Sequence, residues 1–265
     1  MENKIDIKTA KIGVVGAGSW GTALTKLLAD KGYAPELWVY ETEVREQIRT
    51  LRENKVFLPG ETLPDQIVPS GDLEKVASDK DLLLVVVPSH FMREMAGKMS
   101  PYVASDTIVV TASKGIENTT HMTMTQILAE QMAAVDEQHL AVLSGPSFAK
   151  EVARQVPTVV AAASTSRQSA EYVQQVFSCP TFRVYVNDDP VGTQIGGAMK
   201  NVIAIAAGIC DGMKMGLNPR AALITRGLTE MNRLGTKMGA DPLTLSGLAG
   251  VGDLLLTCTG ELSRN

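Results

Sequence analysis

The chain has 265 residues, of which 45% are hydrophobic and 20% charged, and its formal net charge is −4 at pH 7. That is room for one large or two modest domains with real cores, and the scattered basic residues argue against a general nucleic-acid binder. No apolar run approaches the roughly 18 residues of a membrane span. The polar start (residues 1–11) lacks a signal-peptide core, and three distant cysteines, Cys179, Cys210 and Cys258, make neither a disulfide framework nor a zinc site, so a cytoplasmic protein is expected.

The first apolar run, residues 12–15, leads into Val14-Val15-Gly16-Ala17-Gly18-Ser19-Trp20-Gly21 and then into the helical pattern Thr22, Ala23, Leu24, Leu27, Leu28. A strand, a GxGxxG turn and a helix N-terminus form a seat for a dinucleotide diphosphate. The plainer reading is a glycine-rich strand-to-helix turn. Strands are expected at 12–15, 36–40, 82–87, 107–112, 140–143, 158–162 and 182–186, alternating with helices at 42–52, 91–99, 121–132 and 167–177. The run Leu82-Leu83-Leu84-Val85-Val86-Val87 is continuously apolar, as a strand buried on both faces requires. The pattern predicts an α/β fold with a doubly wound, mainly parallel sheet of Rossmann type. At Asn187-Asp188-Asp189-Pro190 the strand pattern ends. Two helices are expected beyond it, over 191–213 and 219–238, the second capped by Asn218 and opened by Pro219. This divides the chain into a dinucleotide-binding domain, 1–189, and an all-helical substrate domain, 190–265.

Functional groups of such a sheet come from loops at the strands' carboxyl ends. Three loops stand out: Pro88-Ser89-His90-Phe91, Ser113-Lys114-Gly115, and Ser144-Gly145-Pro146-Ser147-Phe148-Ala149-Lys150-Glu151. The first is equally well read as plain turn chemistry. Lys114, directly after a buried strand, can reach an anionic ligand. In the small-residue helix Gly196-Gly197-Ala198-Met199-Lys200-Asn201-Val202, a lysine either snorkels to solvent or works as an acid/base group with a lowered pKa, and the second reading is favoured. In Leu248-Ala249-Gly250-Val251-Gly252-Asp253, the acid opens a helix and shares a face with Thr257. Taken alone, Asp253 reads as a cap. Arg264 is either a phosphate grip or a surface residue. His90, His121 and His139 lack metal-ligand spacing, and no metal is expected.

Together these segments resemble the NAD(P)-dependent glycerol-3-phosphate dehydrogenases of bacterial type. The similarity runs through Gly16-Ala17-Gly18-Ser19-Trp20-Gly21-Thr22-Ala23, Pro88-Ser89-His90, Ser113-Lys114-Gly115, Gly145-Pro146-Ser147-Phe148-Ala149, Gly197-Ala198-Met199-Lys200-Asn201-Val202, Gly252-Asp253-Leu254, Thr257-Cys258-Thr259-Gly260 and Ser263-Arg264-Asn265. The resemblance implies reversible reduction of dihydroxyacetone phosphate, a small phosphorylated triose, to sn-glycerol 3-phosphate, a precursor of glycerophospholipids. It implies Lys200 as the catalytic acid/base; on physical grounds Asp253 would be catalytic beside it, keeping the lysine oriented and charged. It places Lys114, Gly145, Ser147, Lys200, Asn201, Asp253, Thr257, Ser263, Arg264 and Asn265 at the substrate. The cofactor, NAD or NADP, falls to Gly16, Gly18, Ser19, Trp20, Gly21, Tyr40, Glu41, Lys114, Ala149 and Arg264.

Two departures matter. Where the family often carries a basic or imidazole side chain, this chain has Tyr40-Glu41; Glu41 lies 20 residues after Gly21, where an acid bonds a ribose 2′-hydroxyl and repels a 2′-phosphate. Arg45, one turn further, could still serve NADP. The chain also ends at Asn265, short of the family's length, and is expected to be a fragment or truncated form. No nucleic-acid partner and no membrane span are expected, and a homodimer is left open. The competing functions are a related two-domain hydroxyacid or sugar dehydrogenase and a dinucleotide-binding regulator without turnover.

Overall fold

The computed structural model describes residues 9–260 and 262–263. Strand β1 (Ile12–Val15) leads through the glycine loop into helix α1 (Ser19–Asp30), followed by β2 (Glu36–Trp38) and α2 (Thr42–Leu51). A short hairpin of β3 (Glu53–Asn54) and β4 (Leu58–Thr62) precedes the edge strand β5 (Val68–Ser70) and α3 (Leu73–Ala77). The chain then runs through β6 (Leu82–Val85), α4 (Met92–Met99), β7 (Ile108–Thr111), α5 (Met124–Gln131), β8 (Leu140–Ser144), α6 (Ala149–Ala153), β9 (Thr158–Ala163), α7 (Arg167–Phe177) and β10 (Phe182–Asn187). From there the described residues form helices and turns only: α8 (Pro190–Gly212), α9 (Leu217–Lys237), α10 (Pro242–Leu245), and α11 (Asp253–Thr259), which a π-turn at Leu248–Gly252 introduces.

The eight-stranded sheet has the order β10-β9-β8-β7-β6-β1-β2-β5. All pairs are parallel except β8 with β9, where a short crossover returns the chain antiparallel. Every residue of β1, β6, β7 and β8 is buried. Their alternation builds two cores. Val14, Leu82 and Leu84 pack with α1 and α7 on one face, while Val15, Leu83 and Val85 pack with the methionines of α4 and with α5 on the other. Each such side chain, fully removed from water, contributes about 1.5–3 kcal/mol. A third cluster, with Ile195, Ile203, Met231, Leu245 and Leu254, joins α8, α9, α10 and α11. The strand order reverses between β1 and β6, so the loops after these two strands open a crevice at the sheet's carboxyl edge.

The mainly parallel α/β sheet and the helical region after it agree with the sequence expectation. The differences are local. The segment between Glu53 and Ala77 holds two strands of a hairpin, an edge strand and a five-residue helix where none was expected. These elements are too short to show a period, and Pro69 is tolerated because β5 is at an edge. The helix expected over 121–132 begins at Met124, because Thr123 and Gln126 form a capping box. Asn218 does not cap α9: the cap is Gly216, whose φ of 92° turns the chain, and Asn218 lies within the helix. Asp189 caps α8 by accepting from the Gly192 N–H at 2.7 Å, with Pro190 in the first turn. The stretch Pro242–Thr259 is long and apolar enough to cross a membrane by composition alone, but it is broken at the π-turn and carries the buried Asp253.

Candidate active site

A cleft of about 1290 Å³ runs from the glycine loop to α8 and α11. At one end Gly16, Ala17, Gly18, Ser19, Trp20 and Gly21 line it; at the other, Lys114, Lys200, Asn201 and Thr257 do. Two glycines of the loop are dictated by the protein. Gly16 has φ +116° and lies against the Val86 carbonyl, and a Cβ at Gly21 would stand 1.9 Å from the Gly16 carbonyl oxygen. Gly18 is different: its φ is −64°, open to any residue, and nothing in the chain lies within 4 Å of where its Cβ would be. The protein has no need of glycine there, whereas a diphosphate pressed against the backbone does. The first turn of α1 carries no acidic residue and its N-cap no side-chain bond, so its free N–H groups and dipole suit an anion. The residues present therefore fit a nicotinamide dinucleotide.

At the other end, close packing brings three charges together. A Cβ at Gly196 would stand 2.3 Å from the Ala249 carbonyl oxygen, so only glycine lets α8 lie this close to the π-turn before α11. Lys200, 9% exposed, then meets Asp253, which is fully buried in the first turn of α11. The Lys200 Nζ donates to Asp253 Oδ1, and the Lys114 Nζ, delivered by the loop after β7, donates to Oδ2. Lys114 also donates to the Gly145 carbonyl at 3.3 Å. Two ammonium groups thus share one carboxylate, leaving a net positive charge in a water-poor recess. Burial, then the Lys114 charge, pulls the Lys200 pKa down to about 8, while Asp253 opposes the fall.

The surrounding groups are tied down. Ser147 Oγ donates to the Gly145 carbonyl at 3.0 Å, and Thr257 Oγ1 to the Asp253 carbonyl at 2.7 Å. Ser113 Oγ donates to the Val87 carbonyl at 2.6 Å, joining the loops after β6 and β7. Tyr40, 78% exposed, and Glu41 lie at the rim, with the Tyr40 ring 5.9 Å from that of Trp38.

Of the residues singled out by sequence, Gly16, Gly18, Ser19, Trp20, Gly21, Tyr40, Glu41, Lys114, Ser147, Ala149, Lys200, Asn201, Thr257 and Ser263 line this one cleft. Gly145 and Asp253 sit behind it, bonded to Lys114. Arg264 and Asn265 lie outside the described residues. The sequence reading did not anticipate that Lys114 binds Asp253. It also missed the β3–β4 hairpin, which contributes Phe57, Leu58 and Pro59 to the cleft wall, and the α4 face of Met95 and Lys98. For the hairpin, the one signal in the sequence is Pro59-Gly60, a pair that marks a break in regular structure, although both residues lie within β4.

Comparison with known proteins gives the same picture over nearly the whole chain. Residues 11–170 match the family described as NAD-dependent glycerol-3-phosphate dehydrogenase N-terminus, and residues 189–265 match its C-terminus. The chain is 54% identical over 254 residues to glycerol-3-phosphate dehydrogenase (NAD(P)+) of Syntrophobacter fumaroxidans, covering 96% of this chain and 75% of that one. It is 54% identical over 255 residues to the enzyme of the same name from Geobacter metallireducens, covering 96% and 76%. The crystal structure of glycerol-3-phosphate dehydrogenase from Coxiella burnetii superposes with a TM-score of 0.92 at 41% identity, covering 97% of this chain and 78% of that one. With both halves of the chain matched and relatives above half identity, the chain belongs to the NAD-dependent glycerol-3-phosphate dehydrogenase family.

Proposed function

We propose that this protein reduces dihydroxyacetone phosphate to sn-glycerol 3-phosphate with NADH or NADPH, and catalyses the reverse reaction. The observation that carries this reading is the Lys114–Asp253–Lys200 arrangement at the end of a cleft that begins at the glycine loop. The nicotinamide, when bound, supplies the hydride for the ketone carbon. Lys200 faces the carbonyl oxygen, stabilises the negative charge that develops there, and gives it the Nζ proton, ending as a neutral amine. In the reverse direction the neutral amine takes the hydroxyl proton. Asp253 aims the Lys200 Nζ and opposes the loss of its charge.

Asn201 and Thr257 lie near the reacting end of the substrate, Arg264 holds its phosphate, and Lys114, Ser147, Ser263 and Asn265 complete the substrate seat, with Gly145 and Asp253 behind Lys114. Gly16, Gly18, Ser19, Trp20 and Gly21 hold the cofactor diphosphate, Tyr40 and Glu41 the adenosine ribose, and Ala149 and Arg264 complete the seat. Holding both reactants in one water-poor cleft supplies much of the rate. On this reading residues 1–189 bind the dinucleotide and residues 190–265 the substrate, the enzyme works in the cytoplasm, and its product feeds glycerophospholipid synthesis. A homodimer is compatible with it.

The test mixes the protein with dihydroxyacetone phosphate and follows the loss of NADH and NADPH absorbance separately. Turnover with at least one cofactor is expected. Nucleotide binding without turnover would replace the dehydrogenase by a dinucleotide-binding regulator.

A further inference from the structure

The hairpin behind the glycine loop contains a fully buried asparagine, Asn54, with a complete set of partners. Its Nδ2 donates to the Ala17 carbonyl at 2.9 Å and to Thr22 Oγ1 at 2.8 Å, and its Oδ1 accepts from the Phe57 N–H at 3.0 Å. The Thr22 hydroxyl in turn donates to the same Ala17 carbonyl at 3.1 Å. Two donors therefore hold one carbonyl of the glycine loop toward the protein interior.

A trans peptide places its C=O and N–H on opposite sides, and the described residues contain no cis bonds. Fixing the Ala17 carbonyl therefore fixes the Gly18 N–H in the reverse direction, away from Asn54. Gly18 is the residue whose Cβ position is open space on the cleft. Were this peptide to flip, a carbonyl oxygen would replace the N–H on that side and repel an anion. We propose that Asn54 is a positioning residue for dinucleotide binding: with Thr22 it locks the Ala17–Gly18 peptide so that the Gly18 N–H is presented to the diphosphate. The proposal rests on the cleft being a dinucleotide seat, and it does not depend on which substrate is reduced.

The test replaces Asn54 by aspartate, which keeps the volume and removes the donor, and separately replaces Thr22 by valine. Dissociation constants for NADH and NADPH are read from nucleotide fluorescence, without turnover. Both should rise by about tenfold, the order of one hydrogen bond to a charged group, and by the same factor, because the diphosphate is common to both. The dihydroxyacetone phosphate KM and the kcat at saturating cofactor should stay near wild type. Glu61→Ala is the control: it breaks the Glu61–Arg154 ion pair that ties β4 to α6, at 2.6 Å, without touching the peptide. The control should lower thermal stability and leave nucleotide affinity unchanged. Unchanged affinity in a folded Asn54 or Thr22 variant overturns the proposal. So does an equal loss of affinity in Glu61→Ala, which would make Asn54 a hairpin anchor only. If Asn54→Asp fails to fold, Thr22→Val decides alone. Wild-type protein that binds NADH but does not turn over would refute the proposed reaction and leave this test standing.

Discussion

Lys114 and Lys200, which come from different parts of the chain, donate to opposite oxygens of the same buried carboxylate, Asp253. Their coupling gives opposite signs to two substitutions. The Lys114 charge lowers the Lys200 pKa and the Asp253 charge raises it. Asp253→Asn should therefore move the Lys200 ionisation to lower pH, and Lys114→Met to higher pH. Breaking a buried charge set by removing its anion should also cost about 3–5 kcal/mol of stability. Rate–pH profiles of the folded variants check the signs, and denaturant melts check the cost. A common shift in both variants contradicts the shared-carboxylate account.

The wild-type pH profile follows from the same group. Lys200 titrates at about 8, below the ordinary lysine value of 10.5. On the proposed mechanism reduction needs the ammonium form, so its kcat/KM should fall as pH rises through about 8. Oxidation of glycerol 3-phosphate needs the amine, so its kcat/KM should rise over the same interval. Lys200→Ala should abolish both limbs and lower kcat by roughly 10²–10⁴, with NADH binding retained. Parallel pH profiles in the two directions would count against Lys200 as the proton carrier.

Gly18 and Gly21 belong to one motif yet should respond differently to alanine. Gly18 has an ordinary φ of −64° and open space around its Cβ position. Gly18→Ala should fold normally, with stability changed by no more than about 1 kcal/mol, because the reduced freedom of the unfolded chain is offset by alanine's poor fit at the N-cap of α1, and should weaken NADH binding. Gly21→Ala places a Cβ 1.9 Å from the Gly16 carbonyl oxygen and should destabilise the fold itself. Thermal melts and fluorescence titrations on both variants separate a ligand requirement from a packing requirement. Unaltered NADH affinity in Gly18→Ala would remove the diphosphate from this spot.

The sequence made some of this plain and hid the rest for physical reasons. Strands such as Leu82–Val85 are legible because burial on both faces demands an unbroken apolar run. Lys200 is legible because a charge inside an apolar helix is costly and needs a reason. Asn54 is silent, since Glu53-Asn54-Lys55 reads as polar surface and its burial comes from a hairpin too short to carry a period. The Lys114–Asp253 contact is silent too, because it joins residues 139 positions apart and depends on how α11 seats against β7's loop.

On the proposed reading, cofactor preference turns on Glu41 and Arg45. Glu41 caps α2 without a side-chain cap bond, so its carboxylate stays available at the cleft rim. Arg45 lies against the backbone of Gly71: a Cβ there would stand 1.8 Å from Arg45 Nη1. The Trp38 Nε1 donates to the Gly71 carbonyl at 3.3 Å, closing that side. The arginine is thus packed on β5's following turn, while the acid stands at the cleft rim, where the proposed reading puts the adenosine ribose. An acid there bonds a 2′-hydroxyl and repels a 2′-phosphate, so kcat/KM should favour NADH over NADPH. Glu41→Ser should shift that ratio toward NADPH by about tenfold, equal to 1.4 kcal/mol. Steady-state kinetics with both cofactors check it, and an unchanged ratio would transfer the discrimination to another part of the cleft.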